Sequence, residues 1–126
     1  MLLSKKIFSL AATLIAIGIA AAAFGAHGLK DTVSPERLVA YQTAGLYHLL
    51  NAFGLMILAI AQHCNLINAT WLKRISTLLV LGILLFSGSL YLLVILDMPR
   101  LGIVTPFGGT MLIIAWVLAA ISSAKS

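Results

Sequence analysis

The chain has 126 residues, of which 62% are hydrophobic and only 9% charged, with a mean hydropathy of +1.13. That balance excludes a water-soluble globule: too few polar side chains exist to cover its surface, so much of that surface must face lipid. The net charge of +5 resides on cations at the edges of apolar stretches, where Lys and Arg orient membrane proteins, and this excludes nucleic acid as the partner.

Four stretches without a formal charge, residues 7–28, 38–72, 75–96 and 101–124, are each long enough to cross a bilayer. A helix rises about 1.5 Å per residue and the hydrocarbon core is about 30 Å thick, so roughly 20 apolar residues make one crossing. The expected fold is all-α: a polytopic membrane protein built as a four-transmembrane-helix bundle with short loops. It fills a single domain over residues 1–126, because four helices and three connections leave no room for a soluble module.

The first helix is expected over residues 4–24, with Gly25 and Gly28 marking its exit. Lys5 and Lys6 ahead of an apolar run, followed by Ala20 to Ala23, also resemble a secretory signal with its small-residue cleavage site. Cleavage would leave three helices, and the expectation is a retained first transmembrane helix. Ala12, Ala16 and Ala20 form one row of small residues, and Gly18, Ala22 and Ala26 a second. Such rows let backbones approach closely in lipid, which predicts that this helix is the tightly packed one.

Ser34 followed by Pro35 reads as an N-cap with proline in the first helical position, and predicts a second helix over 35–63. At 1.5 Å per residue it would be roughly 43 Å long, more than the hydrocarbon thickness. Asn65 and Asn68 suit a short connection, and Trp71 an interfacial anchor beside Lys73 and Arg74. Cys64 is the single cysteine, so no intrachain disulfide forms. With His63 it falls short of the three or four ligands of a zinc site, and no metal site is expected.

A third helix is expected over 75–96, followed by an irregular connection at Asp97, Pro99 and Gly102. Thr105 and Pro106 repeat the cap-plus-proline pattern and open a fourth helix over 106–122. That helix is barely long enough to span, and Gly108 and Gly109 in its first turn admit another backbone.

Four crossings put both termini on one side. That side carries Lys5, Lys6, Lys73, Arg74 and Lys125; the other carries Lys30, Arg37 and Arg100 with all three acids, Asp31, Glu36 and Asp97. The asymmetry predicts a multi-pass protein of the bacterial inner membrane with both termini cytoplasmic.

Polar residues then gather in the outer half: His27 on the first helix; Tyr47, His48 and Asn51 on the second; Ser87, Ser89 and Tyr91 on the third; Thr105 as the cap of the fourth. One reading makes them structural, hydrogen-bonded across the bundle because lipid offers no partners. The other has His27 and His48 line a pocket for a ligand, a proton or a cofactor. Two histidines at similar depth could in principle hold haem iron, but there is no haem-attachment motif and no second histidine pair, and no nucleophile, base and orienting group stand at telling spacings, so no catalytic residue and no cofactor is assigned.

Phe24-Gly25-Ala26-His27-Gly28-Leu29, Thr43-Ala44 with Tyr47 and Ala52, Leu85-Phe86-Ser87-Gly88-Ser89-Leu90-Tyr91, and Leu101-Gly102 with Thr105-Pro106-Phe107-Gly108-Gly109 occur in order along the chain. In these the sequence resembles the YgdD and YwdK type of small bacterial inner-membrane protein, of unknown function and shared with a small eukaryotic transmembrane protein. The sequence departs from that pattern at Asn51, where the family has histidine, and at His48, where it has glutamine. Asparagine does not replace histidine as a strong metal ligand, so hydrogen bonding suits position 51 better.

The resemblance implies a four-helix membrane protein without an assigned activity. The leading expectation is a non-enzymatic protein acting through membrane lipid, a second copy of itself or another membrane protein. The alternative is a small transporter or ligand-binding protein that uses the outer polar pocket around His27 and His48.

Overall fold

The computed structural model describes residues 2–125, the side chains of residues 124 and 125 excepted, so the Lys125 charge counted above lies outside the described residues. Four long helices run antiparallel in sequence: α1 (Leu2–Leu29), α2 (Pro35–His63), α3 (Ala69–Ile95) and α4 (Thr105–Lys125). Among the described residues there is no strand, and four helices are long and apolar enough to cross a membrane. The protein is an all-α, four-span membrane protein.

The helix boundaries follow from local chemistry. The Arg37 N–H donates to Ser34 Oγ at 3.2 Å, and Pro35 occupies the first turn of α2. Asn68 does the same for α3, accepting from the Trp71 N–H at 2.9 Å. The third helix therefore begins at Ala69 and not at residue 75: Asn68, read as loop, is a cap. Lys73 and Arg74 lie on its early turns, and the Arg74 guanidinium stands 5.3 Å from the centre of the Trp71 ring. α2 and α3 end alike. Asn65 and Asp97 take left-handed backbone (φ 65° and 53°), and the following N–H groups of Leu66 and Met98 donate back to Ala61 and Leu93 at 2.9 and 3.1 Å. Asn and Asp are the residues beside glycine that accept this closing geometry.

Three sequence expectations give way here. α1 does not stop at Gly25 but continues through a wider π-type turn, Gly25–Leu29. The connection after α3 is not irregular: Pro99–Ile103 forms a 3₁₀ turn that carries the fourth span back to Pro99 and relieves its short length. Thr105 is not a cap: it lies within the helix, and its hydroxyl turns to Ser89 Oγ, 2.6 Å away.

The packing of α1 is also corrected. Its buried face is Ser4, Ala11, Gly18 and Gly25, one small residue every seven, while Ala12, Ala16 and Ala20 are exposed. Opposite this row α2 presents large residues at the same period. A Cβ on Gly25 would overlap the Tyr41 ring, and one on Gly18 would stand 2.7 Å from Leu49 Cδ2 and 3.2 Å from the His48 ring. The same register carries Ala11 and Leu55 into one core cluster. Small residues on α1 thus mark holes for knobs on α2, and which of several small rows does so depends on the partner's spacing. α1 packs closely against α2 but on this one face alone, with 11% of its membrane window buried against 44% for α2.

α2 is the axis of the fold. α1 lies along it, α3 packs on its other side, and α4 lies along α3. Leu55, Leu72, Ile75 and Leu79 are fully enclosed between α2 and α3, with Leu112 and Ala115 of α4 closing the cluster. α2 and α4 have few close backbone approaches, so a gap runs between them over the face of α3.

A buried polar network and a lateral groove

The network centres on His48, which is 4% exposed. Its Nε2 lies 2.8 Å from the Leu14 carbonyl of α1, and its Nδ1 2.9 Å from Tyr91 Oη of α3. A carbonyl only accepts, so Nε2 carries the proton; in the neutral ring Nδ1 then accepts from the Tyr91 hydroxyl. One side chain on α2 thereby ties α1 to α3. Gly18, one turn beyond Leu14, leaves the space through which the ring reaches the α1 backbone.

Tyr41, two turns before His48, repeats the arrangement with its hydroxyl donating to the Ala21 carbonyl of α1. Ala21 stands four residues before Gly25, where the widened turn begins. Gly25 leaves room for the Tyr41 ring, which lies 5.1 Å from that of Tyr91 at 55°. Tilted aromatic pairs at this separation are favourable beyond their buried area.

Ser87 is buried and donates to the Ala44 carbonyl of α2 at 2.7 Å. Ser89 Oγ donates to the Phe86 carbonyl at 2.9 Å, which leaves Thr105 Oγ1, 2.6 Å away, to donate to Ser89. The third bridge is Asn51. Its Nδ2 donates to the Tyr47 carbonyl at 2.7 Å, and its Oδ1 accepts from Trp116 Nε1 of α4 at 2.8 Å. A Cβ on Gly54 would overlap the Trp116 indole, so this glycine creates the seat for it.

His27 does not join this network. It lies exposed on the widened turn of α1, and both His48 ring nitrogens are engaged elsewhere, so the structure does not build the pocket expected between the two histidines. Tyr47 is half-exposed, edge-on to Phe86 with ring centres 5.2 Å apart. Among the described residues no three His, Cys, Asp or Glu side chains converge.

Beside the network lies a groove of about 680 Å³ in the gap between α2 and α4. Leu50, Leu112 and Ile113 form its walls and Phe86 its back, with Asn51 and Trp116 at the bridge across it. It is mostly apolar with a few convergent polar groups, the character of a small-molecule site, and Leu50 and Ile113 are exposed on the outward face of the helices.

The family model described as "Protein of unknown function (DUF423)" matches residues 21–109. The chain belongs to the DUF423 family. Among curated proteins it is 35% identical over 121 residues to a UPF0382 membrane protein of Staphylococcus epidermidis, covering 95% of this chain and 97% of that one. It is 34% identical to its Staphylococcus saprophyticus counterpart (95% and 98%) and 36% identical over 113 residues to UPF0382 membrane protein YwdK of Bacillus subtilis (89% of each). No solved structure matches the chain.

In this DUF423 chain two of the sequence motifs fall on the two widened turns: Gly25–Leu29 of α1 and Leu84–Gly88 of α3. Inserted π turns change the facing of everything beyond them and are frequent at functional positions. Sequence reasoning missed Tyr41 and Trp116. Tyr41 shares a face with His48 at a spacing of seven, a usable signal. Trp116 carries an indole N–H into an aliphatic span, and such a donor needs an acceptor.

Proposed function

We propose that this protein is a non-enzymatic component of the bacterial inner membrane, with both termini in the cytoplasm, that works by holding an acyl chain from the bilayer in the groove between α2 and α4. The observation that carries this reading is the groove itself: about 680 Å³, apolar, and bridged by the Asn51–Trp116 hydrogen bond. An acyl chain needs apolar walls and access from the side of a helix bundle, and both are present. The non-enzymatic part is supported by His48, whose two ring nitrogens are already satisfied within the bundle.

The test uses fluorescence. With Trp71→Phe, Trp116 becomes the sole indole. In vesicles of phospholipid brominated along the acyl chain its emission is expected to be quenched, and Gly109→Val, which fills the groove, should remove at least about half of that quenching. At Gly109 a Cβ would meet the edge of the Phe86 ring at 3.3 Å, a side chain and not backbone, so the substitution asks that ring to give by a few tenths of an ångström. Quenching that ignores the filling substitution would show that no chain enters, and would point to a second copy or another membrane protein covering this face.

Orientation is supported by the excess of cations on the N-terminal side. A green fluorescent protein fused after the last residue is expected to be bright and an alkaline phosphatase fused there inactive; the reverse pattern would invert the topology.

A further inference from the structure

A second cleft, of about 660 Å³, opens at the other end of the bundle from the termini, between the end of α1, the start of α2 and the end of α3. Its walls are apolar, with Phe24, Leu29, Val94 and Ile95, but its rim carries both signs of charge in Arg37 and Asp97. This site is separate from the groove between α2 and α4 and does not rest on it.

Among the described residues Arg37 Nη1 makes both of the side chain's polar contacts, to Asp97 Oδ1 at 2.8 Å and to the Leu93 carbonyl at 3.1 Å. A guanidinium has five N–H donors, so those of Nε and Nη2 are uncommitted among the described residues. Asp97 is 85% exposed and its second oxygen is likewise open. Ser34 Oγ accepts from the Arg37 N–H, which leaves its own O–H to donate. Thr32 adds nothing, because its hydroxyl turns back to the Gly28 and Leu29 carbonyls.

The helix ends reinforce the two signs. The N-terminus of α2, a partial positive pole, lies beside Ser34 and Arg37; the C-terminus of α3, a partial negative pole, lies beside Asp97. A ligand of one charge is drawn to one side of this rim and repelled by the other. A headgroup that carries phosphate and ammonium together satisfies both, with its acyl chains against the apolar walls. Phosphate matches the free donors of Arg37 and Ser34. The open Asp97 oxygen gains a charge-assisted hydrogen bond only from an ammonium that still has N–H protons. The geometry points to a membrane phospholipid with a primary-ammonium zwitterionic headgroup, of the phosphatidylethanolamine type, as the ligand of the Arg37–Asp97 cleft.

The experiment is native mass spectrometry of the full-length protein released from detergent with lipids of identical acyl chains: phosphatidylethanolamine, its mono- and dimethylated forms, phosphatidylcholine and phosphatidylglycerol. Retention is expected to fall along the methylation series, by about tenfold from first to last, the worth of one hydrogen bond to a charged group. Asp97→Asn should lower ethanolamine lipid to the phosphatidylcholine level, while Lys30→Gln, on the same side but outside the cleft, should change nothing. The methylation series needs no variant and so stands even if Asp97→Asn folds poorly. Equal retention of ethanolamine and choline lipids would overturn the assignment. So would stronger retention of phosphatidylglycerol than of either, or a preference that survives Asp97→Asn. None of these outcomes alters Trp116 quenching in the groove, so the two readings fail separately.

Discussion

Gly108→Ala is expected to destabilise the bundle by about 3 kcal/mol, the upper part of the range for overpacking a tight contact. The added Cβ would overlap the Phe86 backbone nitrogen and the Leu85 carbonyl carbon, and a backbone cannot rotate away as a side chain can. Gly82, across the same crossing, is nearly as confined: its Cβ would lie 2.7 Å from Leu112 Cδ2 and 3.2 Å from the Gly108 carbonyl. These two glycines let α4 lie along α3, and that contact holds the fourth helix in place. Gly88→Ala supplies the internal control. Gly88 has helical backbone (φ −60°, ψ −43°) and a Cβ there would meet nothing within 4 Å, so alanine should leave stability unchanged or raise it by up to about 1 kcal/mol. Unfolding of both variants by sodium dodecyl sulfate from a mild detergent, followed by tryptophan fluorescence, distinguishes them. Equal midpoints for the two would show that α4 does not sit on α3 as described.

The four spans were legible because the bilayer imposes length and hydrophobicity on each one, and the caps at Ser34 and the first-turn Pro35 declare themselves locally. The start of α3 was not, because Asn68 serves equally as a loop residue and as an N-cap, and only the Trp71 N–H beside it decides. The widened turns were hidden for a similar reason: Gly25 and Gly28 read as helix exit, yet a glycine whose role is to clear space for Tyr41 looks the same in sequence as one that ends a helix. The packed face of α1 could not be chosen from α1 alone, since three rows of small residues were available and the spacing of Tyr41, His48 and Leu55 on α2 selects among them.

The site was half legible. Collecting polar residues at one depth found His48, Asn51, Ser87, Ser89, Tyr91 and Thr105, all of which take part in hydrogen bonds between helices or within the α3–α4 crossing. It failed for His27, which has the right depth but faces away from the bundle. Depth along a span is a one-dimensional property that hydropathy supplies; the azimuth of a side chain is set by the partner helix. The backbone carbonyls of Leu14, Ala21 and Ala44, which accept the buried donors, carry no sequence signal at all.

His48→Ala is the other large effect, expected to cost about 2–4 kcal/mol. Each hydrogen bond between helices in lipid contributes about 0.6 kcal/mol on average, so the two made by His48 supply about 1.2 kcal/mol and fall short of that figure. The remainder comes from the cavity left between α1, α2 and α3, where Gly18 offers no side chain to collapse into the space. Tyr91→Phe removes a hydroxyl without a cavity and should cost about 1 kcal/mol, through loss of the donor to His48 Nδ1. The two losses share that bond, so the double variant should be less destabilised than the sum of the singles by up to about 1 kcal/mol. Strict additivity would remove the His48–Tyr91 bond from the account. An intact His48→Ala bundle would do more. It would mean that α1 is held to α2 without its central polar tie, by the small residues at seven-residue spacing and the Tyr41 bond to the Ala21 carbonyl. Those residues fix how closely the two helices approach, whereas the Leu14 carbonyl and the Tyr91 hydroxyl fix where along α1 and α3 the ring of α2 must stop.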